Sequence, residues 1–162
     1  MKVSIFTDAS VNIELRKAGY AFYIGCQIGK IQKAGKLKIE TNVSTTAELH
    51  CIANAVYTLL HSKFSPITKV FIYSDSKNCI DCITGNSRSF KDIEVRRVLE
   101  EINFLMIEVC IKHGKPIRSI KTFFELIHVK AHTKRTDKIS QINDWCDKNA
   151  KKYMRLSSKL KN

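Results

Sequence analysis

The chain has no apolar run that approaches the length of a membrane-spanning helix. Its N-terminus, Met1-Lys2-Val3-Ser4-Ile5-Phe6-Thr7-Asp8, meets a charge too soon to hold a signal-peptide core. A cytoplasmic location is therefore expected, or the host cytoplasm for a viral protein, and no membrane partner. There is no internal repeat, no low-complexity linker and no composition shift to mark a domain boundary, and 162 residues suit one domain with a sizeable core. Acids are scarce: 15 Asp and Glu stand against 28 Lys and Arg, a net charge of +13. Such a surface suits polyanions, nucleic acid first. Disorder is excluded by a hydrophobic content of 44%. Six cysteines fall inside apolar segments and, without a secretion signal, read as reduced, buried small side chains. Cys79-x-x-Cys82 has no second pair at zinc-site spacing, so a helix turn burying two small groups is the better reading.

Apolar patterning predicts strands over residues 3–7, 18–27 and 31–40, with a turn at Ile28-Gly29-Lys30. A helix follows, with Leu49, Ile52, Ala53, Val56, Leu59 and Leu60 at helical spacing. Next come a strand at 69–74, a short helix at about 76–84, and a longer one at about 91–113 that Gly114 and Pro116 end. A fifth strand is expected at 120–129, then a basic loop over 130–141 and a last helix. The order β-β-β-α-β-α-α-β-α implies an α/β protein whose mixed sheet carries helices on its faces. Strand-helix-strand crossovers would make strands 1, 4 and 5 parallel. Residues 1–156 form the expected domain, and 157–162 a polar tail that frays.

The scarce acids occupy four distinctive settings. Asp8 and Asp75 each end an apolar strand pattern, and Glu48 and Asp147 each sit on a helical one. Ligands in such sheets bind at the carboxyl ends of the parallel strands. Four carboxylates converging there repel one another strongly unless a hard divalent cation sits among them. Each acid also has a plainer explanation. Asp8 could open a turn, and Glu48 could close a capping box with Thr45. Asp75 could cap the following helix, and Asp147 could be a solvated residue among lysines.

Read together, these contexts resemble the type 1 ribonuclease H family. Thr7-Asp8-Ala9-Ser10 is similar to its first motif, Thr46-Ala47-Glu48-Leu49 to its helix-borne Glu motif, and Tyr73-Ser74-Asp75-Ser76 to its strand-end motif. Val129-Lys130-Ala131-His132 resembles Val-Lys-Gly-His, and Asn143-Asp144-Trp145-Cys146-Asp147 resembles Asn-x-x-x-Asp. The resemblance runs from residue 3 to about 152. It implies a ribonuclease H-like fold: a five-stranded mixed sheet of order 3-2-1-4-5 flanked by helices on both faces. It also implies an endonuclease that cuts the RNA strand of RNA–DNA hybrids and leaves 5′-phosphomonoesters.

Asp8, Glu48, Asp75 and Asp147 would carry two Mg²⁺ ions, with Mn²⁺ able to substitute. Two such ions roughly 3.5–4 Å apart activate water, orient phosphate and stabilise the leaving oxygen. Asp8, on the central strand, is the candidate bridge. Glu48 and Asp75 would hold one ion and Asp147 the other. His132, in a loop with Lys130 and Lys134, would assist proton transfer or product release. Asn143 matches an Asn that holds the substrate backbone. Ser44 and Thr45 stand where the family has Asn/Gln readers, and with Ser10 they could bind a ribose hydroxyl. A monomer is expected.

Besides Ser44 and Thr45, the chain departs from the pattern in three places. The Gly-rich segment after Asp8 is missing, the interval from His132 to Asp147 is long, no Trp-bearing basic protrusion exists, and the only tryptophan is Trp145. Substrate grip could come instead from Lys148, Lys151, Lys152 and Arg155 on the last helix. A junction resolvase-like, DNA-directed nuclease and a non-catalytic hybrid-binding module are the alternatives. Integrase-type sites end in Glu, whereas Asp147 stands here, and proofreading exonucleases require an acid where Ser10 stands. The start at Met1, with no polymerase segment, favours a stand-alone protein over a reverse-transcriptase domain.

Overall fold

The computed structural model describes residues 1–86, 92–129 and 137–159. One five-stranded sheet organises them, in the order β3-β2-β1-β4-β5. The strands are β1 (Lys2–Asn12), β2 (Lys17–Cys26), β3 (Gly29–Lys36), β4 (Lys69–Ser74) and β5 (Phe124–His128). β1 to β3 form an antiparallel meander, and β4 and β5 join β1 in parallel. The helices are α1 (Ser44–Leu60), α2 (Lys77–Thr84), α3 (Ile93–Lys112), the single turn α4 (Ile120–Phe123) and α5 (Lys138–Lys159).

Side chains of β1 alternate between two cores. Val3 and Ile5 join Phe22, Ile24, Val70 and Ile72 in a core covered by α1 and α3. Phe6 faces the other way and packs with Ala21, Cys146 and Ala150 beneath α5. The helical stripe of α1 buries Leu49, Ile52, Ala53, Val56 and Leu59, and that of α3 buries Val95, Val98, Ile102, Leu105, Met106 and Val109. Asp92 caps α3, accepting from the Glu94 and Val95 amides at 2.8 and 3.3 Å. Past its other end Gly114 takes a φ of 65°, which a side chain would strain.

β2 and α5 approach one another unusually closely. A Cβ on Gly19 would lie 2.3 Å from the Ala150 carbonyl oxygen and 2.4 Å from the Met154 nitrogen, so only glycine fits at that crossing. This contact sets how far α5 stands from the sheet.

Several elements differ from the sequence expectations. β1 does not stop near Asp8. Parallel pairing with β4 ends at Phe6, but antiparallel pairing with β2 carries β1 on to Asn12, with Asp8 opposite Ala21. β3 runs from Gly29 to Lys36, ending four residues before the expected end of the strand at 31–40. Residues 120–123, read as strand, form α4. Residues 157–159, expected to fray, are the last turn of α5, where Ser158 Oγ accepts from Asn12 Nδ2 at 3.2 Å.

Candidate active site

Three elements bring three acids together. β1 carries Asp8 two residues beyond its parallel pairing, β4 ends one residue before Asp75, and α1 presents Glu48 from its first turns. One carboxylate oxygen of each lies within 4.8 Å of the others. The plainer roles are taken by other groups. Glu48 closes no capping box: α1 has no side-chain cap, and Glu48 Oε1 instead accepts the Ala9 amide of β1 at 3.0 Å. α2 is capped by Ser76, whose Oγ accepts from Cys79 N, and not by Asp75. Asp8 lies inside a paired strand and opens no turn.

Electrostatics make the cluster costly as it stands. Asp8 is 5% exposed and Glu48 4%. Burial, then the charges of Asp75 and Asp147, push the Asp8 carboxyl up from its ordinary 3.8 to about 7. Burial, then repulsion from Asp8, hold Glu48 well above its ordinary value, although the Ala9 amide favours its charged form. When both are ionised, Asp8 Oδ2 and Glu48 Oε2 are buried without a hydrogen-bond partner. A hydrogen on Glu48, shared with Asp8, relieves that repulsion. A divalent cation would relieve it as well and would satisfy both orphaned oxygens. The donor set, all carboxylate oxygen, suits a hard ion such as Mg²⁺.

Asp147 stands slightly apart. Its charge reaches Asp8, yet it is not one of the three clustered acids. It forms an ion pair with Lys151, whose Nζ lies 2.7 Å from Oδ1 and 2.8 Å from Oδ2. Asn143, one turn earlier on α5, is buried, and its Oδ1 lacks a partner. Ser44 is exposed at the start of α1, Thr45 follows it half-buried, and Ser10 is half-buried on β1. Lys130, His132 and Lys134 lie outside the described residues.

Some supporting groups were not legible in the sequence. A ring nitrogen of His128 hydrogen-bonds the Asp75 carbonyl at 3.0 Å, and Val129 N bonds the Ser74 carbonyl, so the end of β5 fixes the end of β4. Three thiols read as inert core donate to carbonyls around the site. Cys51 reaches the Asp8 and Ala21 carbonyls at 3.4 and 3.3 Å, Cys79 that of Thr45 at 3.5 Å, and Cys146 that of Phe6 at 3.7 Å. Their one sequence signal is position, since each falls within four residues of a candidate acid.

The sequence profile of the RNase H family matches residues 1–155. The chain belongs to the RNase H family. With membership comes a coarse assignment, a nuclease. RNase H folds of low sequence identity superpose over nearly the whole chain. RNase H1 of the halophilic archaeon Halobacterium salinarum NRC-1 is 14% identical, with a TM-score of 0.66 and coverage of 96% of this chain and 98% of that one. LC11-RNase H1, solved in complex with RNA/DNA hybrid, is 13% identical at a TM-score of 0.69, covering 96% and 99%. The N-terminal RNase H domain of Rv2228c from Mycobacterium tuberculosis is 15% identical at a TM-score of 0.67, covering 95% and 99%. No match to a curated protein sequence was found. Among the described residues, no helix is long and apolar enough to cross a membrane.

Proposed function

We propose that the protein is an endonuclease that hydrolyses the RNA strand of RNA–DNA hybrids and leaves 5′-phosphomonoesters, with residues 1–156 as the catalytic unit. One observation carries this reading: Asp8, Glu48 and Asp75 meet within 4.8 Å, with two buried, unpartnered oxygens among them, in a chain of RNase H lineage. The hybrid bound to LC11-RNase H1 supports the choice of substrate.

Asp8, Glu48, Asp75 and Asp147 would hold two Mg²⁺ ions, with Mn²⁺ able to replace them. Bound there, the metal would activate water, orient the scissile phosphate and stabilise the departing oxygen. The protein's own groups prepare the site. The Ala9 amide orients Glu48, the Cys51 thiol ties the Asp8 backbone to β2 and α1, and His128 steadies the Asp75 backbone. Ser10, Ser44 and Thr45, within four residues of Asp8 or Glu48 in sequence, would read the 2′-hydroxyl, the group that separates RNA from DNA. Lys148, Lys152 and Arg155, exposed on α5, offer charge to phosphates without regard to sugar. Asn143 would steady the substrate backbone. His132, with Lys130 and Lys134, would serve proton transfer or product release. The protein would act as a monomer.

The deciding experiment incubates the protein with labelled RNA–DNA hybrid, double-stranded RNA, double-stranded DNA and a four-way junction, with Mg²⁺ and with chelator. Chelator-sensitive cutting of hybrid alone is expected. Efficient cutting of DNA duplex or junction would replace the reading with a resolvase-like enzyme. Binding of hybrid without any cutting would replace it with a non-catalytic module.

A further inference from the structure

We propose that Lys151 is a latch on Asp147, one that must open before this carboxylate can ligate a second divalent cation. The inference rests on the metal-binding role assigned to the acids above. Asp147 differs from Asp8 and Glu48. Asp8 Oδ2 and Glu48 Oε2 are buried without a hydrogen-bond partner, whereas both oxygens of Asp147 lie within 2.8 Å of one ammonium. The spacing is i,i+4 with the acid on the N-terminal side, the favourable order on a helix. The Asp147 side chain is 23% exposed and that of Lys151 41%, so the pair sits at the rim of the site, partly sheltered from screening.

The physical logic is substitution of one cation for another. An acidic site without metal suffers from its own charge, and the Lys151 ammonium neutralises the carboxylate that lies outside the tight cluster. The same contact makes Asp147 unavailable. A lysine suits this role better than an arginine would, because it is a point charge on a flexible stem and binds no carboxylate through a rigid fork. Two consequences follow. A first cation, held by Asp8, Glu48 and Asp75, binds with little reference to Lys151. A second, which needs Asp147, binds more weakly than it would without the latch.

Calorimetric titration with Mn²⁺ of the full chain, without nucleic acid, tests this directly. Lys151→Gln should tighten the weaker step about threefold, the scale set by a half-exposed ion pair, or reveal a second step where the parent shows one. The tighter step should stay unchanged. Lys152→Gln removes the same charge from the neighbouring position, where the ammonium lies over the Tyr153 ring, and should do markedly less. In an Asp147→Asn background Lys151→Gln should have no effect. An unchanged weaker step in Lys151→Gln, or an equal gain in Lys152→Gln, would overturn the latch. Asp8→Asn separates the two ideas. If it loses the tighter step while Lys151→Gln changes nothing, the latch alone is wrong. If it titrates like the parent, the three-acid metal site is wrong and the latch goes with it.

Discussion

Replacing Asp8 with Asn should make the metal-free protein more stable while nearly abolishing its catalysis. The carboxyl is buried, and its acidity is suppressed from an ordinary 3.8 to about 7 by burial and by the charges of Asp75 and Asp147. At about 1.36 kcal/mol per tenfold change in acidity constant, the ionised side chain costs the folded state about 4 kcal/mol above pH 7. Asparagine keeps the shape, carries no charge, and can donate to the unpartnered Glu48 Oε2. The sign follows from proton binding. Below about pH 4 Asp8 is protonated in both folded and unfolded chains, so the substitution does little. Between about pH 4 and 7 the folded parent retains a proton that the unfolded chain releases, so parental stability falls as pH rises. Above pH 7 the full difference is present and should raise the melting temperature of the variant by about 10 °C. The assay is thermal unfolding in chelator from pH 4.5 to 8.5. Saturating Mg²⁺ should narrow the gap, since the parent gains about 2.7 kcal/mol at a hundredfold excess over Kd and the variant gains less. Hybrid cleavage should fall at least about a thousandfold. A variant less stable than the parent at pH 8, or a difference that does not vary with pH, would refute this account of the site.

Three further outcomes are expected. His132→Ala should slow turnover about ten- to a hundredfold without abolishing it, and parental rates across pH 6–9 would remove His132 from the mechanism. Thr45→Val should lower the preference for hybrid over DNA duplex more than it lowers affinity, read from paired kinetics at two salt concentrations; equal losses in both would return Thr45 to the helix surface. Gly19→Ala should cost about 3 kcal/mol by chemical denaturation, because its Cβ meets the Ala150 and Met154 backbone. Its residual folded fraction should cleave poorly, since α5 carries Asp147; unchanged stability would show that the crossing yields easily.

Much of the fold was legible because its signals are local. The stripe of α1, the apolar run of β4 and the stop after α3 can each be read within one segment. The errors arose where tertiary pairing decided the outcome. β1 continues to Asn12 because β2 offers it partners, although its sequence turns polar after Phe6. Residues 120–123 carry strand-like side chains but form a helical turn before β5 begins. Glu48 illustrates the same limit at the site, since its spacing from Thr45 fits a helix cap equally well. Only the approach of the β1 amide reveals its partner. The Lys151 contact could have been anticipated from i,i+4 spacing on a helix, yet the basic context pointed toward phosphate instead.

The candidate acids come from β1, α1, β4 and α5, elements far apart in the chain. The basic residues that would attract nucleic acid have no such requirement, since positive charge belongs to the composition. The two capacities therefore arise at different moments in the life of the molecule. A newly made or partly unfolded chain already carries its attraction for polyanions, but Asp8, Glu48 and Asp75 meet only once the central sheet has closed against α1, and Asp147 approaches them only once α5 has docked against Gly19. Under the proposed function, such a chain would cling to a hybrid without being able to cut it. On the same reading, loss of integrity in any one of the four elements would end hydrolysis before it ended binding, so a damaged copy would shield its substrate instead of degrading it.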